Sequence, residues 1–417
     1  MVEWRETTWG AEISLEYGKG IRGYADAVGP YRVFGSNGPV GWTSEPLAPG
    51  PGVILGRKGA YRGVQFSKEP FFVIDTAYYV VPKSELDIRW LYYAIIHHKL
   101  GEIDDGSPIP STTRAAVYVR DLSVPRLEEQ EAIASVLGAL DDKIELNRRM
   151  NETLEAMARA IFKDWFVDFG PTRAKMEGRA PYLAPDIWSL FPDRLDDENK
   201  PEGWTNIPLH QVADIVKGRS YKSIELQPSR TALVTLKSFA RGGGYRSEGL
   251  KPYTGPYKPD QVVSEGDLIV ALTDVTQAAE LIGRPAKVLA DPRFDTLVAS
   301  LDVAIIRPKQ ESLATREFLF GTMATEEFTL HTYAHTSGTT VLHLSKDAIP
   351  SFRFNIPNSR LLSAYKEIAA PLFVRIAANE RESRTLAATR DFLLPKLMSG
   401  EVRVKEAQGF VEEEAWS

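Results

Sequence analysis

The sequence of 417 residues is long enough for two or three domains of roughly 100–200 residues. Hydrophobic residues make up 43% and charged residues 25% of the chain, which excludes a wholly disordered or fibrous protein. The absence of Cys excludes disulfides and thiol catalysis and favours a reducing, cytoplasmic compartment. The net charge is −6, and residues 126–202 account for it with 11 Lys and Arg against 17 Asp and Glu. The flanking segments can therefore still have basic surfaces.

Residues 1–125 contain short β-like runs separated by Gly and Pro, a pattern typical of a β-rich domain. The segment 52–59 predicts a buried strand, and the Ser/Thr cluster 111–114 is expected to precede another strand. Asp104-Asp105 is a carboxylate pair of the kind used in acid–base catalysis, although a solvated turn is the simpler interpretation.

Residues 128–165 predict one long helix, because Gly138 is the only Gly in the segment and Pro is absent. Apolar residues recur there at heptad spacing, at Ile133, Leu137, Leu140, Ile144, Leu154, Ala158, Ile161 and Trp165. Asn147 and Asn151 occupy the remaining seam positions. A helix of 38 residues would be about 57 Å long. That length favours one arm of a coiled coil, and a core helix of a bundle remains the alternative.

The rest of the chain repeats this plan. Residues 171–202 are rich in Pro and acidic residues and predict an irregular linker with little core of its own. A second β-rich block follows, and residues 360–397 predict a second long helix. A shift of 232 residues superposes the two helices without a gap, placing Pro125 on Pro357 and Asn147 on Asn379. The sequence therefore predicts an internal repeat.

Motifs of enzyme chemistry are absent from the sequence. It has no phosphate-binding Gly-x-x-x-x-Gly-Lys-Ser/Thr loop, no dinucleotide-binding Gly-x-Gly-x-x-Gly and no Gly-x-Ser-x-Gly elbow. His97-His98 lacks the spacing of a zinc-binding helix, because adjacent helical residues point to different faces. We therefore predict no catalytic residue, no metal site and no cofactor. No run of 18 apolar residues predicts a membrane span.

Several segments resemble the specificity subunit of type I restriction–modification enzymes. Residues 125–133, 140–147 and 160–166 are similar to the central region of that family, and residues 393–400 to its closing motif. Residues 266–269 and 337–340 are similar to motifs of its target recognition domains. The likeness covers nearly the whole chain.

The resemblance implies an α+β fold in which two β-rich target recognition domains, related by an internal repeat, are separated by two long antiparallel coiled-coil helices. The expected segments are recognition domain 1 (1–125), the central long helix (126–170), the linker (171–202), recognition domain 2 (203–357), the C-terminal long helix (358–400) and an acidic tail (401–417). It also implies that the chain binds a bipartite, asymmetric site in double-stranded DNA. Two methyltransferase (modification) subunits would dock on the helices and methylate adenine with S-adenosylmethionine, and restriction subunits would add the ATP-driven motor and nuclease.

DNA recognition needs cations for phosphates and forked donors for base edges. The candidates in the first block are Arg57, Lys58, Arg62, Thr112, Thr113 and Arg114. Those in the second block are Arg219, Lys222, Lys237, Arg241, Arg246, Thr273, Gln277, Thr339 and Thr340. A solvated surface residue is the alternative for each of them. Gly242-Gly243-Gly244 is interpreted as a hairpin turn or as backbone that approaches a phosphate.

Helix pairing is expected to involve Leu140, Ile144, Asn147, Leu154, Leu372, Ile376, Asn379 and Leu386. The midpoints of the two predicted helices lie next to Asn147 and Asn379, so an antiparallel pair would bring these amides together and fix its register. In the alternative, both Asn side chains face solvent and the seam includes Met150 and Met157.

Two other functions stay open from the residues. One is a stand-alone bipartite DNA-binding regulator without enzyme partners. The other is an unrecognised enzyme that uses a carboxylate pair.

Overall fold

A computed structural model of the chain describes residues 4–104, 106, 109–275, 278–310, 312–407 and 409. The chain divides into two compact units, which we call the first unit (residues 1–148 and 380–417) and the second unit (residues 149–379). Each unit contains one β-rich block together with part of each long helix.

Short strands alternate with helices along the described residues. In chain order the elements are β1 Arg5–Thr8, α1 Trp9–Glu12, β2 Ile13–Tyr17, β3 Tyr31–Gly35, β4 Gly38–Thr43, β5 Gly52–Gly56, β6 Val64–Ser67, β7 Phe71–Val73, β8 Ala77–Pro82, α2 Ile88–His97, α3 Arg114–Tyr118, β9 Asp121–Val124, α4 Leu127–Phe162, α5 Gly170–Met176, α6 Pro185–Trp188, β10 Thr205–Pro208, β11 Ala213–Lys217, β12 Thr231–Val234, β13 Lys251–Pro252, β14 Val262–Val263, β15 Leu268–Ala271, β16 Thr273–Asp274, β17 Pro285–Lys287, β18 Thr296–Ala299, β19 Val303–Pro308, α7 Arg316–Met323, α8 Glu326–Ala334, β20 Thr336–Ser337, β21 Leu342–Leu344, α9 Ala348–Ser351, β22 Arg353–Ile356 and α10 Ser359–Met398.

The first unit has a four-stranded antiparallel sheet in the order β2-β8-β5-β6, a three-stranded sheet β4-β3-β7 and the pair β1-β9. Strand β5 is buried along its whole length, as the apolar segment 52–59 predicts. The core of this unit includes Trp9 and Trp90 from the β-rich block, Leu137 from α4 and Leu393 from α10. Both long helices therefore contribute to it.

The second unit repeats the main part of this topology and adds the three-stranded sheet β16-β21-β20. Its four-stranded sheet has the order β11-β19-β15-β17, and the pair β10-β22 corresponds to β1-β9. A parallel pair, β12-β18, also corresponds to the parallel pair β3-β7 of the first unit. The matching strand orders confirm the mixed α+β fold and the internal repeat that the sequence predicts.

The long helices α4 and α10 pair antiparallel within each unit. In the first unit Asp141 accepts a hydrogen bond from Arg390 at 2.6 Å, and Lys143 lies 3.3 Å from Glu382. Residue numbers thus increase along α4 while those of the contacting residues on α10 decrease, as in an antiparallel pair. In the second unit the rings of Phe162 and Tyr365 lie 5.7 Å apart, with a T-shaped orientation. Leu140 is buried, whereas the other apolar residues expected in helix pairing are half-buried, namely Ile144, Leu154, Leu372, Ile376 and Leu386.

The asparagines of the seam are buried, with side chains 0% exposed at Asn147 and 1% exposed at Asn379. Met157, by contrast, is 47% exposed. The alternative in which the Asn side chains face solvent and Met157 belongs to the seam is therefore wrong. Asn147 Nδ2 donates to Glu382 Oε2 at 2.9 Å and to Ser383 Oγ at 3.3 Å, and Asn379 Nδ2 donates to Asn151 Oδ1 at 2.8 Å. A hydrogen bond between Asn147 and Asn379 would join the two units and stays a prediction.

Three local expectations need correction. Helix α4 ends at Phe162 rather than Trp165, and the chain continues as a π-helical turn, Lys163–Val167. The cluster 111–114 leads into helix α3 rather than directly into a strand, because Thr113 caps α3 by accepting from the backbone N–H of Ala116.

The third correction concerns the linker 171–202. It contains α5 and α6, and Phe191 is buried with its ring 5.2 Å from that of Trp165. Its apolar residues therefore join the core of the second unit, although its acidic composition predicted little core. The acidic tail 401–417 is described only in part, through residues 401–407 and 409.

Candidate nucleic-acid interface

Two candidate arginines of the first block meet around one tyrosine, in a group that we call the Tyr17 cluster (Glu16, Tyr17, Arg57, Tyr78 and Arg114). Tyr17 ends β2 and is paired with Tyr78 of β8 in the antiparallel ladder. Arg57 directly follows β5, which pairs with the other edge of β8. Arg114 is the first residue of α3. Sheet order therefore brings Tyr17, Tyr78 and Arg57 together, and helix α3 adds Arg114.

The two guanidinium groups both contact the Tyr17 ring. The Cζ atom lies 4.7 Å from the ring centroid for Arg57 and 4.2 Å for Arg114, within the range of a cation–π interaction. The rings of Tyr17 and Tyr78 are 5.1 Å apart. Burial raises the pKa of Tyr78 to about 12, so this phenol is neutral at physiological pH. Tyr17 is 46% exposed, so the cluster forms part of the protein surface.

Each guanidinium also has a polar partner within the protein. Arg57 Nη1 donates to the carbonyl oxygen of Asp75 at 3.0 Å. Arg114 Nη2 lies 3.6 Å from Glu16 Oε2, and both side chains are partly exposed, at 34% and 41%. The Ser14 hydroxyl donates to the other oxygen of Glu16. The cluster thus presents forked cationic donors and one oriented carboxylate.

Arg62 and Thr112 do not belong to this surface, and their assignment as DNA contacts needs correction. Thr112 is completely buried. Arg62 donates from Nη1 to the carbonyl oxygen of Gly59 at 2.7 Å and from Nη2 to that of Ile103 at 3.0 Å. Its Nε lies 2.9 Å from the carbonyl oxygen of Gly101 and 3.1 Å from Thr112 Oγ1. Arg62 therefore holds together the loops that precede Arg114 and follow Arg57.

The remaining candidates of the first block lie beside the cluster. Lys58 is exposed and bridges to Ser111 through the backbone, whereas Thr113 is half-buried and caps α3. Asp104 is exposed and accepts from the backbone N–H of Gly106 at 3.0 Å, which fits a solvated turn. Its partner in the suggested carboxylate pair, Asp105, lies outside the described residues.

Most candidates of the second block are exposed. Arg241 lies 3.2 Å from Glu280 and Arg246 lies 3.8 Å from Glu248, and Arg219 is half-buried. The exposed candidates are Lys222, Lys237, Arg241, Arg246, Thr339 and Thr340. Gln277 lies outside the described residues.

In this block the structure contradicts one candidate residue and agrees with the turn interpretation of the glycine run. Thr273 is buried and donates to Asp302 Oδ1 at 3.0 Å, so it is not placed to contact DNA. The backbone N–H groups of Gly242, Gly243 and Gly244 donate to carbonyl oxygens of Glu280, Ala240 and Pro285. All three glycines have positive φ, which identifies a tight turn, and their donors are not available to a phosphate.

The repeat places unlike residues at equivalent positions of the two blocks. Gly56 pairs with Ala77 in the first block, and Ala271 pairs with Val303 at the same place in the second. The residues that follow these pairs are therefore equivalent. Tyr78 corresponds to Ala304, and Arg57 corresponds to Leu272. Tyr17 pairs with Tyr78 as Lys217 pairs with Ala304. The second block therefore lacks the tyrosine pair and the first arginine of the Tyr17 cluster at these positions.

The contacts between each β-rich block and its helices also differ. In the first unit Arg89 of α2 forms two hydrogen bonds with Asp142 of α4, at 2.9 and 2.7 Å, and Tyr93 donates to Asp141 at 2.6 Å. In the second unit Lys287 lies 3.3 Å from the centroid of the Phe373 ring, at the helix position that corresponds to Asp141. The carboxylates of α4 are thus engaged by their own recognition block.

The comparisons with known proteins agree with this architecture. Residues 28–156 match the family model for the type I restriction modification DNA specificity domain. The chain is 26% identical to the MjaIX specificity subunit of Methanocaldococcus jannaschii, over 85% of this chain and 78% of the relative. It is 24% identical to the HindI specificity subunit of Haemophilus influenzae, over 79% of this chain and 81% of the relative. Over most of its length the chain is therefore similar to specificity subunits of type I restriction enzymes.

A solved structure has a similar fold. The type I restriction–modification S subunit from M. genitalium superposes with a TM-score of 0.57 over 95% of this chain and 96% of its own, at 16% identity. Within the described ranges no helix of the chain is long and apolar enough to cross a membrane. Nor do the described Asp, Glu and His residues include a group of three that could hold a metal ion.

Proposed function

We propose that this chain is the DNA specificity subunit of a type I restriction–modification complex and recognises a bipartite, asymmetric site in double-stranded DNA. It is the non-catalytic recognition component, which docks modification (methyltransferase) and restriction subunits. The observation that supports this function most directly is the repeated strand order of two β-rich blocks whose exposed polar residues differ. A repeat of one scaffold with unlike surfaces suits two unlike half-sites.

We assign recognition domain 1 to residues 1–125 and recognition domain 2 to residues 203–357. The helices at 126–170 and 358–400 join the two domains and provide the docking surface for the modification subunits. Each domain contacts phosphates through exposed cations and base edges through forked or amide side chains. The complex acts on DNA in the cytoplasm.

A methyl-transfer assay tests this function. The purified chain with S-adenosylmethionine and DNA should transfer no methyl group. The same chain co-purified with its modification subunits should methylate adenine at one bipartite sequence. Methyl transfer by the highly purified single chain would refute the proposal.

A stand-alone DNA-binding regulator is the alternative function. It would bind its site tightly as an isolated chain and would form no stable complex with a methyltransferase. Co-expression and pull-down with the modification subunits distinguishes the two functions, since a stable complex is expected only for a specificity subunit.

A further inference from the structure

The Tyr17 cluster holds its arginine side chains in fixed positions. Arg114 is fixed at its backbone by the start of α3 and at its guanidinium by the Tyr17 ring, 4.2 Å away. The Tyr17 ring packs against Tyr78, which is itself buried between strands. A guanidinium stacked on an aromatic ring loses less conformational freedom when it binds a planar partner. Arg114 is therefore prepared to form two parallel hydrogen bonds.

Glu16 supplies an acceptor beside this donor. Its Oε2 lies 3.6 Å from Arg114 Nη2, and Ser14 holds the other carboxylate oxygen. In the major groove guanine presents the acceptors O6 and N7, and the paired cytosine presents an amino donor. Arginine is the commonest partner of guanine, and Glu accepts from the cytosine amino group. An adjacent Arg and Glu therefore match both partners of one G·C base pair.

We propose that the Tyr17 cluster recognises a G·C base pair in the half-site of the first block, an inference that rests on the proposed function. Arg114 donates to guanine O6 and N7, and Glu16 accepts from the amino group of the paired cytosine. Arg57 is a positioning residue, because its guanidinium is tied to the Asp75 carbonyl and packs against the Tyr17 ring.

The same recognition is not expected in the other half-site. The repeat gives the second block Lys217, Ala304 and Leu272 in place of Tyr17, Tyr78 and Arg57. A stacked arginine fork cannot form there from these residues. A change in the Tyr17 cluster should thus alter one half-site alone.

The test uses the complete complex of the chain with its modification subunits and a pool of DNA duplexes with randomised sequence. Wild-type complex should select a bipartite site with a G·C pair in one half. Arg114→Lys keeps the charge but loses the two parallel donors. The preference of the complex for G·C over other base pairs at this position should therefore fall roughly 10- to 100-fold. Glu16→Gln should weaken the same preference. The second half-site should stay unchanged in both variants.

Arg120→Gln is the matched control, since Arg120 is an exposed arginine of the same block outside the cluster. It should leave the base preference intact. The proposal is overturned if the wild-type half-site has no G·C pair, or if Arg114→Lys, with an unchanged unfolding temperature, keeps the preference. Selection of no bipartite site by the wild-type complex would instead overturn the proposed function.

Discussion

Arg62 shows how one side chain can support a recognition surface without belonging to it. Its three guanidinium nitrogens donate to three carbonyl oxygens and to Thr112 Oγ1. The acceptors include the carbonyl oxygens of Gly101 and Ile103, which lie far along the chain from Arg62. Arg62 thus joins loops that the backbone bridge between Lys58 and Ser111 also holds together.

Arg62→Lys should lower the free energy of unfolding by about 1–3 kcal/mol, because one ammonium cannot reach all of these acceptors and buried carbonyls lose their partners. Urea unfolding followed by circular dichroism measures the change. Lys58→Gln, at an exposed neighbour, should shift it by less than about 0.5 kcal/mol. An Arg62→Lys protein as stable as the wild type would contradict the structural role.

Lys287 makes stability depend on pH in the alkaline range. Burial lowers the pKa of this ammonium to about 8, and its side chain is 15% exposed beside Phe373. Above that pH the folded chain has released the proton, while the unfolded chain retains it until its ordinary pKa of about 10.4. The unfolded state then binds more protons, so stability should rise with pH in this window.

This rise should be absent in Lys287→Met, which replaces the ammonium with an apolar side chain of similar length. Unfolding free energies measured between about pH 7.5 and 9.5 test the effect and avoid most tyrosine titration. Lys222→Met, at an exposed lysine, should retain the rise seen in the wild type. An identical pH profile for Lys287→Met and wild type would show that Lys287 does not cause it.

The sequence points to two of the five residues of the Tyr17 cluster. The need for forked donors indicates Arg57 and Arg114, and the structure brings both to Tyr17, while their contact with DNA stays a prediction. The sequence does not reveal Tyr17 and Glu16, because the sheet order β2-β8-β5 brings Tyr17 next to Arg57, 40 positions away, and helix α3 brings Arg114, 97 positions away. Thr112 and Arg62 were misassigned, since the same polar chemistry serves buried loop contacts. Burial is not visible in a Thr-Thr-Arg pattern.

At the scale of helices, the polar seam is expected to fix register. Asn379 donates to Asn151 at 2.8 Å, and Asn147 donates to Ser383. The 232-residue shift places Asn147 on Asn379 and Asn151 on Ser383, so the two hydrogen bonds join equivalent positions. Both donors are buried, so removal of either acceptor leaves a buried amide without that bond. The repeat therefore places an equivalent polar contact in each unit.

Asn151→Leu and Asn379→Leu should each destabilise the chain by about 1–3 kcal/mol. The double variant should cost less than the sum, because one hydrogen bond is lost in all three proteins. Denaturant unfolding of the four proteins of this cycle gives the coupling energy. Met157→Leu, at an exposed position of the same helix, is the control and should be nearly neutral. Additive effects would show that the two amides do not interact.

Long elements were predictable because their periodicity is strong. The expected helices at 128–165 and 360–397 correspond to Leu127–Phe162 and Ser359–Met398, within three residues at each end. The π-helical turn after Phe162 was not predictable, since its aromatic residues keep the apolar pattern while the backbone geometry changes. The composition of the linker does not reveal that it contributes to the core, because Phe191 is one buried ring among many acidic residues.

At the scale of the whole molecule, one β scaffold occurs twice with different surfaces. The strand orders β2-β8-β5-β6 and β11-β19-β15-β17 match, whereas Tyr17, Arg57 and Tyr78 correspond to Lys217, Leu272 and Ala304. The shared scaffold keeps the strand order, while the exposed residues and the contacts with the long helices vary. Each block should therefore determine its own half of the DNA site.

A block exchange tests this central claim most directly. Residues 1–125 are replaced by the corresponding block of another specificity subunit, and adenine methylation by the complex with its modification subunits is mapped on genomic DNA. The account predicts that one half of the bipartite site changes to the donor's half, while the other half stays as in the wild type. A change in both halves, or in neither, would contradict it.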